Sequence, residues 1–138
     1  MKIKLTSFIV VSSLLTSCDK EKEIVENQGP NGKWRLTEYY DGYANGGSFS
    51  WHAISLNNSH SLEFTTNGQY IKHPNSNSTQ VCSGTFRLLS DSTLEINSNC
   101  QTITERAKIT QLTNSILIID YSVIEGTIRY KYTAEKNN

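Results

Sequence analysis

The stretch CSGTFRLLSDSTLEINSNC, Cys82 to Cys100, carries the fold in miniature. Apolar and polar residues alternate on both sides of Ser90-Asp91-Ser92, which is the period of a β-strand, and the hydroxyl-rich centre reads as a turn. A turn centred on Asp91 sets Phe86 opposite Ile96, Leu88 opposite Leu94 and Cys82 opposite Cys100, with Arg87 opposite Glu95 on the other face. An apolar face, a cysteine pair and an ion pair therefore agree on one register. Opposed residues of antiparallel strands have Cα atoms about 4.5–5.5 Å apart, within disulfide reach. We expect a structural Cys82–Cys100 bridge, because no His or acid nearby has the spacing of a metal site.

Alternation continues outward from this hairpin. From Gly32 onward no stretch has helical periodicity, and strands are expected near 33–42, 61–66, 69–74, 80–89, 93–100, 102–112, 116–123 and 126–134. The exception to short turns is the link from Tyr43 to His60, which is rich in Gly, Ser and Asn but carries Trp51 and Ile54. Asn67-Gly68 is a strong hairpin signal with two registers open: a two-residue turn pairs Phe64 with Ile71, and a turn with a glycine bulge pairs it with Tyr70.

The chain has 138 residues, 13 basic and 13 acidic, and 36% hydrophobic residues including seven Tyr and two Trp. That length suits one domain and excludes a paired catalytic and cofactor domain. The balanced charge lacks the basic footprint of a nucleic-acid binder, and two Pro with eight Gly exclude a collagen-like chain.

The first residues differ from the rest. Lys2 and Lys4 precede an apolar run from Leu5 to Leu15 that is too short to span a bilayer and reads as the core of an export signal. Leu15-Thr16-Ser17-Cys18 then resembles the bacterial lipobox, which implies cleavage before Cys18 and its acylation with chains such as palmitate. The expected divisions are a signal over 1–17, a charged tether over 18–31 and a folded domain over 32–138. Loss of Lys2 and Lys4 leaves 11 basic groups against 13 acidic ones, a net charge of −2. Asp19-Lys20-Glu21-Lys22-Glu23 resembles the surface-export tract of Bacteroides and Flavobacterium lipoproteins. In enterobacteria an Asp after the Cys implies inner-membrane retention. The outer membrane is the favoured address, on its periplasmic or cell-surface face. An exported chain meets an oxidising compartment, consistent with the bridge.

Gly32-Lys33-Trp34-Arg35-Leu36-Thr37-Glu38 opens the folded part, and its Gly-x-Trp resembles the lipocalin signature. With Leu62-Glu63-Phe64-Thr65-Thr66-Asn67-Gly68-Gln69-Tyr70 and Cys82-Ser83-Gly84-Thr85-Phe86, it resembles the lipocalin-like domains of Bacteroidetes lipoproteins over about residues 32–134. The resemblance implies an all-β, antiparallel, eight-stranded up-and-down barrel; an immunoglobulin-like sandwich is the competing architecture. It also implies an Arg from the last strand packed across Trp34, for which Arg129 is the candidate. Alternation places Ile128, Tyr130 and Tyr132 on the face opposite Arg129. A late Thr-Asp-Tyr motif is missing.

Inward residues decide what such a barrel can bind. Trp34, Leu36, Glu38 and Tyr40 alternate onto one face of the first strand, and Ile103, Glu105, Ala107 and Ile109 onto one face of the sixth. Buried carboxylates need a partner, a place near the mouth, or a proton. One reading is a polar cavity for a small apolar or amphipathic ligand, lined by Trp34, Glu38, Glu105, Tyr40, Tyr70, Tyr130 and Tyr132 with Trp51 at its mouth. The other is a barrel filled by its own side chains, whose loops contact an envelope protein or glycan. Trp51-His52-Ala53-Ile54 either caps the mouth or forms an exposed tip.

His52, His60 and His73 show no metal-site spacing, and His73 is expected inward beside Leu62. No nucleophile elbow, phosphate loop or dinucleotide fingerprint occurs, so the expectation is a non-enzymatic monomer without cofactor or metal. Asp91-Ser92-Thr93 resembles a Bacteroides-type O-glycosylation site.

Overall fold

The computed structural model describes residues 29–42, 46–89 and 92–136. Cys18, the signal segment and most of the tether lie outside these residues, as do Ser90 and Asp91 at the hairpin tip. Nine strands follow in order: β1 Gly32–Tyr40, β2 Trp51–Ala53, β3 Ser61–Phe64, β4 Gln69–His73, β5 Cys82–Leu88, β6 Thr93–Ser98, β7 Glu105–Leu112, β8 Ile116–Val123 and β9 Gly126–Ala134. Every strand pairing among the described residues is antiparallel, sequence neighbours from β3 to β9 pair in turn, and β1 closes the sheet between β3 and β9. The protein is a closed, eight-stranded, up-and-down barrel, the lipocalin-like architecture, in which no main strand is left as an open edge. β2 is an addition to it. The long link that lacked a strand in the sequence reading turns back at Gly47 and pairs Trp51 with Tyr40, beside the outer half of β1.

The hairpin register is the expected one: Phe86 opposes Ile96, Arg87 opposes Glu95 and Leu88 opposes Leu94. Cys82 and Cys100 are bonded, with their Cα atoms 5.5 Å apart. At Asn67-Gly68 the glycine-bulge register holds. Phe64 pairs with Tyr70, Thr65 and Gln69 close the turn, and Gly68 takes a φ of +81° that favours glycine.

The two ends of the barrel differ. At one end lie both chain ends of the domain and the short turns β3–β4, β5–β6 and β7–β8. There Trp34, Phe64, Leu94, Ile96, Ala107, Ile109, Leu117 and Ile119 are buried and pack into one core. Gly29-Pro30, read from sequence as the end of a solvated tether, instead crosses this base: Pro30 is fully buried and its carbonyl accepts a 2.7 Å bond from Trp34 Nε1. The other end carries the longer connections, β1–β2, β2–β3, β4–β5 and β6–β7, and the disulfide.

A bulge in β1 changes which residues face in. Leu36 pairs with Tyr132 but Glu38 pairs with Lys131, so Thr37 is the extra residue. Its hydroxyl bonds to the Lys131 carbonyl at 3.1 Å, and its own carbonyl accepts from Ile54 N–H at 2.8 Å. One extra residue reverses the period-2 alternation beyond it. Trp34 and Leu36 face in as expected, but beyond Thr37 it is Tyr39 that faces in. Glu38 and Tyr40 face out, contrary to the alternation read from sequence.

Candidate functional site

The end with the long connections is hollow. A cavity of about 1050 Å³, partly open to solvent, runs from the loop at Ile54, Ser55 and Asn58 down to Leu36, Leu62, Tyr70 and Tyr132. Its walls are tyrosine-rich: Tyr39 from β1, Tyr70 from β4, Tyr121 from β8, and Tyr130 and Tyr132 from β9. Tyr121 meets Tyr130 edge-on with centroids 5.7 Å apart, and His60 meets Tyr132 likewise at 5.8 Å. The tyrosine phenols of positions 70, 121, 130 and 132 are held above their ordinary range by burial, reinforced by the Glu105 charge for the first three. They are therefore neutral hydroxyls, able both to donate and to accept.

Three ionisable side chains join them. Glu105, at the start of β7, accepts a 3.1 Å bond from Gln101 Nε2. His60 lies 3.3 Å from the Tyr132 hydroxyl, and burial together with the Lys72 charge pushes its imidazole down to about 4, so it is uncharged at neutral pH. Lys72 pairs with Leu62 in the ladder and follows Tyr70 on the inward side of β4. His73, expected inward beside Leu62, instead faces out and bonds Glu63 at 3.1 Å.

The candidate residues read from sequence thus separate. Tyr70, Glu105, Tyr130 and Tyr132 meet on the cavity wall. Trp34 is in the packed base, below the cavity. Glu38 lies outside, where its Oε1 is 2.8 Å from Lys131 Nζ. Tyr40 and Trp51 also lie outside, ring edge to ring with centroids 5.4 Å apart. Arg129 is not packed on Trp34; it forms two 2.7 Å bonds to Asp120 and sits 6.0 Å from the Tyr40 ring centre. Ile103 precedes β7, is 77% exposed, and does not share the inward face of Glu105.

Sequence reading left Tyr39, Lys72 and Tyr121 out of the cavity and weighed His60 only as a metal ligand. Tyr121 was accessible to it, because it continues the inward Leu117-x-Ile119 alternation. Lys72 required the Asn67-Gly68 register, and Tyr39 required the bulge.

A second polar cluster organises the β1–β2 connection. The Asp41 carboxylate accepts from Ser48 N–H at 2.9 Å, Ser50 N–H at 2.8 Å and the Ser48 hydroxyl at 3.0 Å, and meets His52 Nε2 at 2.7 Å. The backbone donors Ser50 and Ser48 hold its carboxyl below the usual carboxylate range. Ser, His and Asp are together here, but His52 Nε2 also makes the 3.1 Å contact to Ser50 Oγ. A relay needs opposite ring nitrogens for its two partners, so this is a loop clip in geometry. Among the described residues no three His, Cys, Asp or Glu side chains converge as metal ligands.

The hollow end also carries exposed apolar residues that do not line the cavity. Among the described residues, Phe49, Trp51, Leu56, Val81, Ile103 and the Val123-Ile124 pair are the exposed large hydrophobic residues, and all belong to this end of the barrel. No family model, curated protein or solved structure matches the chain.

Proposed function

We propose that this chain is a non-enzymatic, lipid-anchored binding protein that holds a small, partly apolar molecule in the open half of its barrel. The cavity carries the reading. Its volume of about 1050 Å³ lies just above the range of about 300–1,000 Å³ usual for small-molecule sites, so it has room for a small organic ligand. Rigid aromatic walls with scattered hydroxyls suit an apolar body with a few polar atoms. The anchor is Cys18, and the outer membrane is the favoured address. The chain enters the barrel at its packed base, so an anchor ahead of Gly29 leaves the hollow end directed away from the attachment point. The working unit is a monomer without cofactor or metal.

The exposed apolar residues at the hollow end favour a second reading, an accessory protein whose loops contact an envelope protein or glycan. Exposed apolar groups gathered at one end are a feature of contact surfaces. Native mass spectrometry of the chain purified from its own host separates the two. A retained small molecule, released on denaturation, supports the binding protein. Repeated recovery of the empty chain with a co-purifying envelope component favours the accessory role.

A further inference from the structure

We propose, resting on the binding reading above, that the ligand is an amphipathic organic anion, its acidic group held by Lys72 and its apolar body lying against the tyrosine rings.

Lys72 is the Lys or Arg among the residues that line the cavity. The ion pairs among the described residues engage Lys33, Arg87, Arg106, Arg129 and Lys131, with His52 and His73, and none includes Lys72. Its ammonium therefore faces a half-enclosed space without a compensating carboxylate at contact distance. Screening by solvent is reduced there, and a charge-assisted bond to an incoming carboxylate, sulfonate or phosphate is stronger than on the open surface. His60 beside it is uncharged and adds a polar ring nitrogen without competing for the anion's charge.

Glu105 fixes the polarity of the site. It projects from β7, three strands around the barrel from β4, and is held by Gln101. A carboxylate on that wall repels an acidic group and favours its placement at Lys72. Tyr70, Tyr121 and Tyr130 surround the space between them, supplying ring faces and edges for an aromatic or aliphatic body.

The test uses two probes that share a ring frame. 8-Anilino-1-naphthalenesulfonate carries a permanent anion, and N-phenyl-1-naphthylamine carries none. Each is titrated into the purified full chain and followed by fluorescence. Lys72→Gln is expected to weaken the sulfonate by about tenfold and leave the amine within about twofold, the loss of one charge-assisted contact. Lys72→Arg retains sulfonate binding, Glu105→Gln strengthens it, and His73→Gln, one position along but facing out, changes neither probe. Retained amine binding by Lys72→Gln shows that the variant is folded. If the amine binds and Lys72→Gln leaves the sulfonate unchanged, the anion proposal fails while the binding reading stands. Equal weakening of both probes also overturns it, because that reports lost packing. Failure of both probes to bind the wild-type chain overturns the proposal and the binding reading together.

Discussion

Glu38 and Lys131 meet on the outside of the barrel, carboxylate to ammonium at 2.8 Å, although simple alternation along β1 carries Glu38 to the inside with Leu36. Thr37 is the cause, as the unpaired residue of the bulge. The pair lies beside Trp51, whose ring centre is 5.7 Å from Lys131 Nζ. Glu38→Gln is expected to leave ligand retention unchanged and to shift stability by no more than about 1 kcal/mol, the range of a partly exposed pair. Glu105→Gln is expected to alter retention. Native mass spectra and urea midpoints of the two variants check this.

The Cys82–Cys100 bridge closes the hairpin at the hollow end. Replacing both cysteines with Ser is expected to cost about 2–4 kcal/mol, chiefly by freeing the unfolded chain. Unfolding by urea is expected to show a similar loss of free energy for the wild-type chain when reductant is added, and none for the double variant.

Glu95 is a buried carboxylate on the outer face, 4% exposed and covered by two guanidinium groups. Arg106 donates to Oε2 at 2.9 and 3.0 Å, and Arg87 Nε to Oε1 at 2.6 Å. Hydrogen bonds from Arg106 and then Arg87 hold its carboxyl below the ordinary value of 4.5. A depressed carboxylate stabilises the fold above its unfolded pKa, and that contribution is lost as pH falls through the folded value. Glu95→Gln is therefore expected to lower the melting temperature at pH 7 and to flatten the loss of stability below about pH 4.5. Calorimetric scans from pH 7 downward measure both effects.

His60 titrates in the opposite chemical sense with the same outcome in acid. Its imidazole is pushed from 6.5 to about 4, so between these values the unfolded chain binds the proton more tightly. Stability is fully present above about pH 6.5 and declines as pH falls toward 4, by an upper bound of about 3 kcal/mol. The His60 ring resonances followed by NMR are expected to show the low midpoint. His60→Gln removes this part of the decline.

Gly47 sits against the Asp41 clip, where an added Cβ would overlap the carboxylate. Gly47→Ala is expected to open the clip, lower the melting temperature, and speed hydrogen exchange at the Ser48 and Ser50 amides. Unchanged exchange at those two amides would show that the loop absorbs the methyl group.

Local chemistry made much of this protein legible before its structure. Alternation at Cys82–Cys100 determined a hairpin, its register, its bridge and the Arg87–Glu95 pair, because residues facing one another across a short turn are constrained by sequence distance alone. The inward tyrosines of β9, Tyr130 and Tyr132, followed from the same period-2 rule. What lay beyond it was decided by contacts between distant segments. The Thr37 bulge forms because β1 must pair with Lys131 on one side while its carbonyl accepts from Ile54 on the other, and neither partner is visible within β1 itself. That one residue moved Glu38 and Tyr40 outward and brought Tyr39 in. Lys72 likewise reaches the cavity through the glycine-bulge register of the neighbouring turn. Whether the barrel is filled or hollow depends on all eight strands together. Strand order and side-chain parity set which residues share the interior, and the sequence read strand by strand cannot sum their volumes.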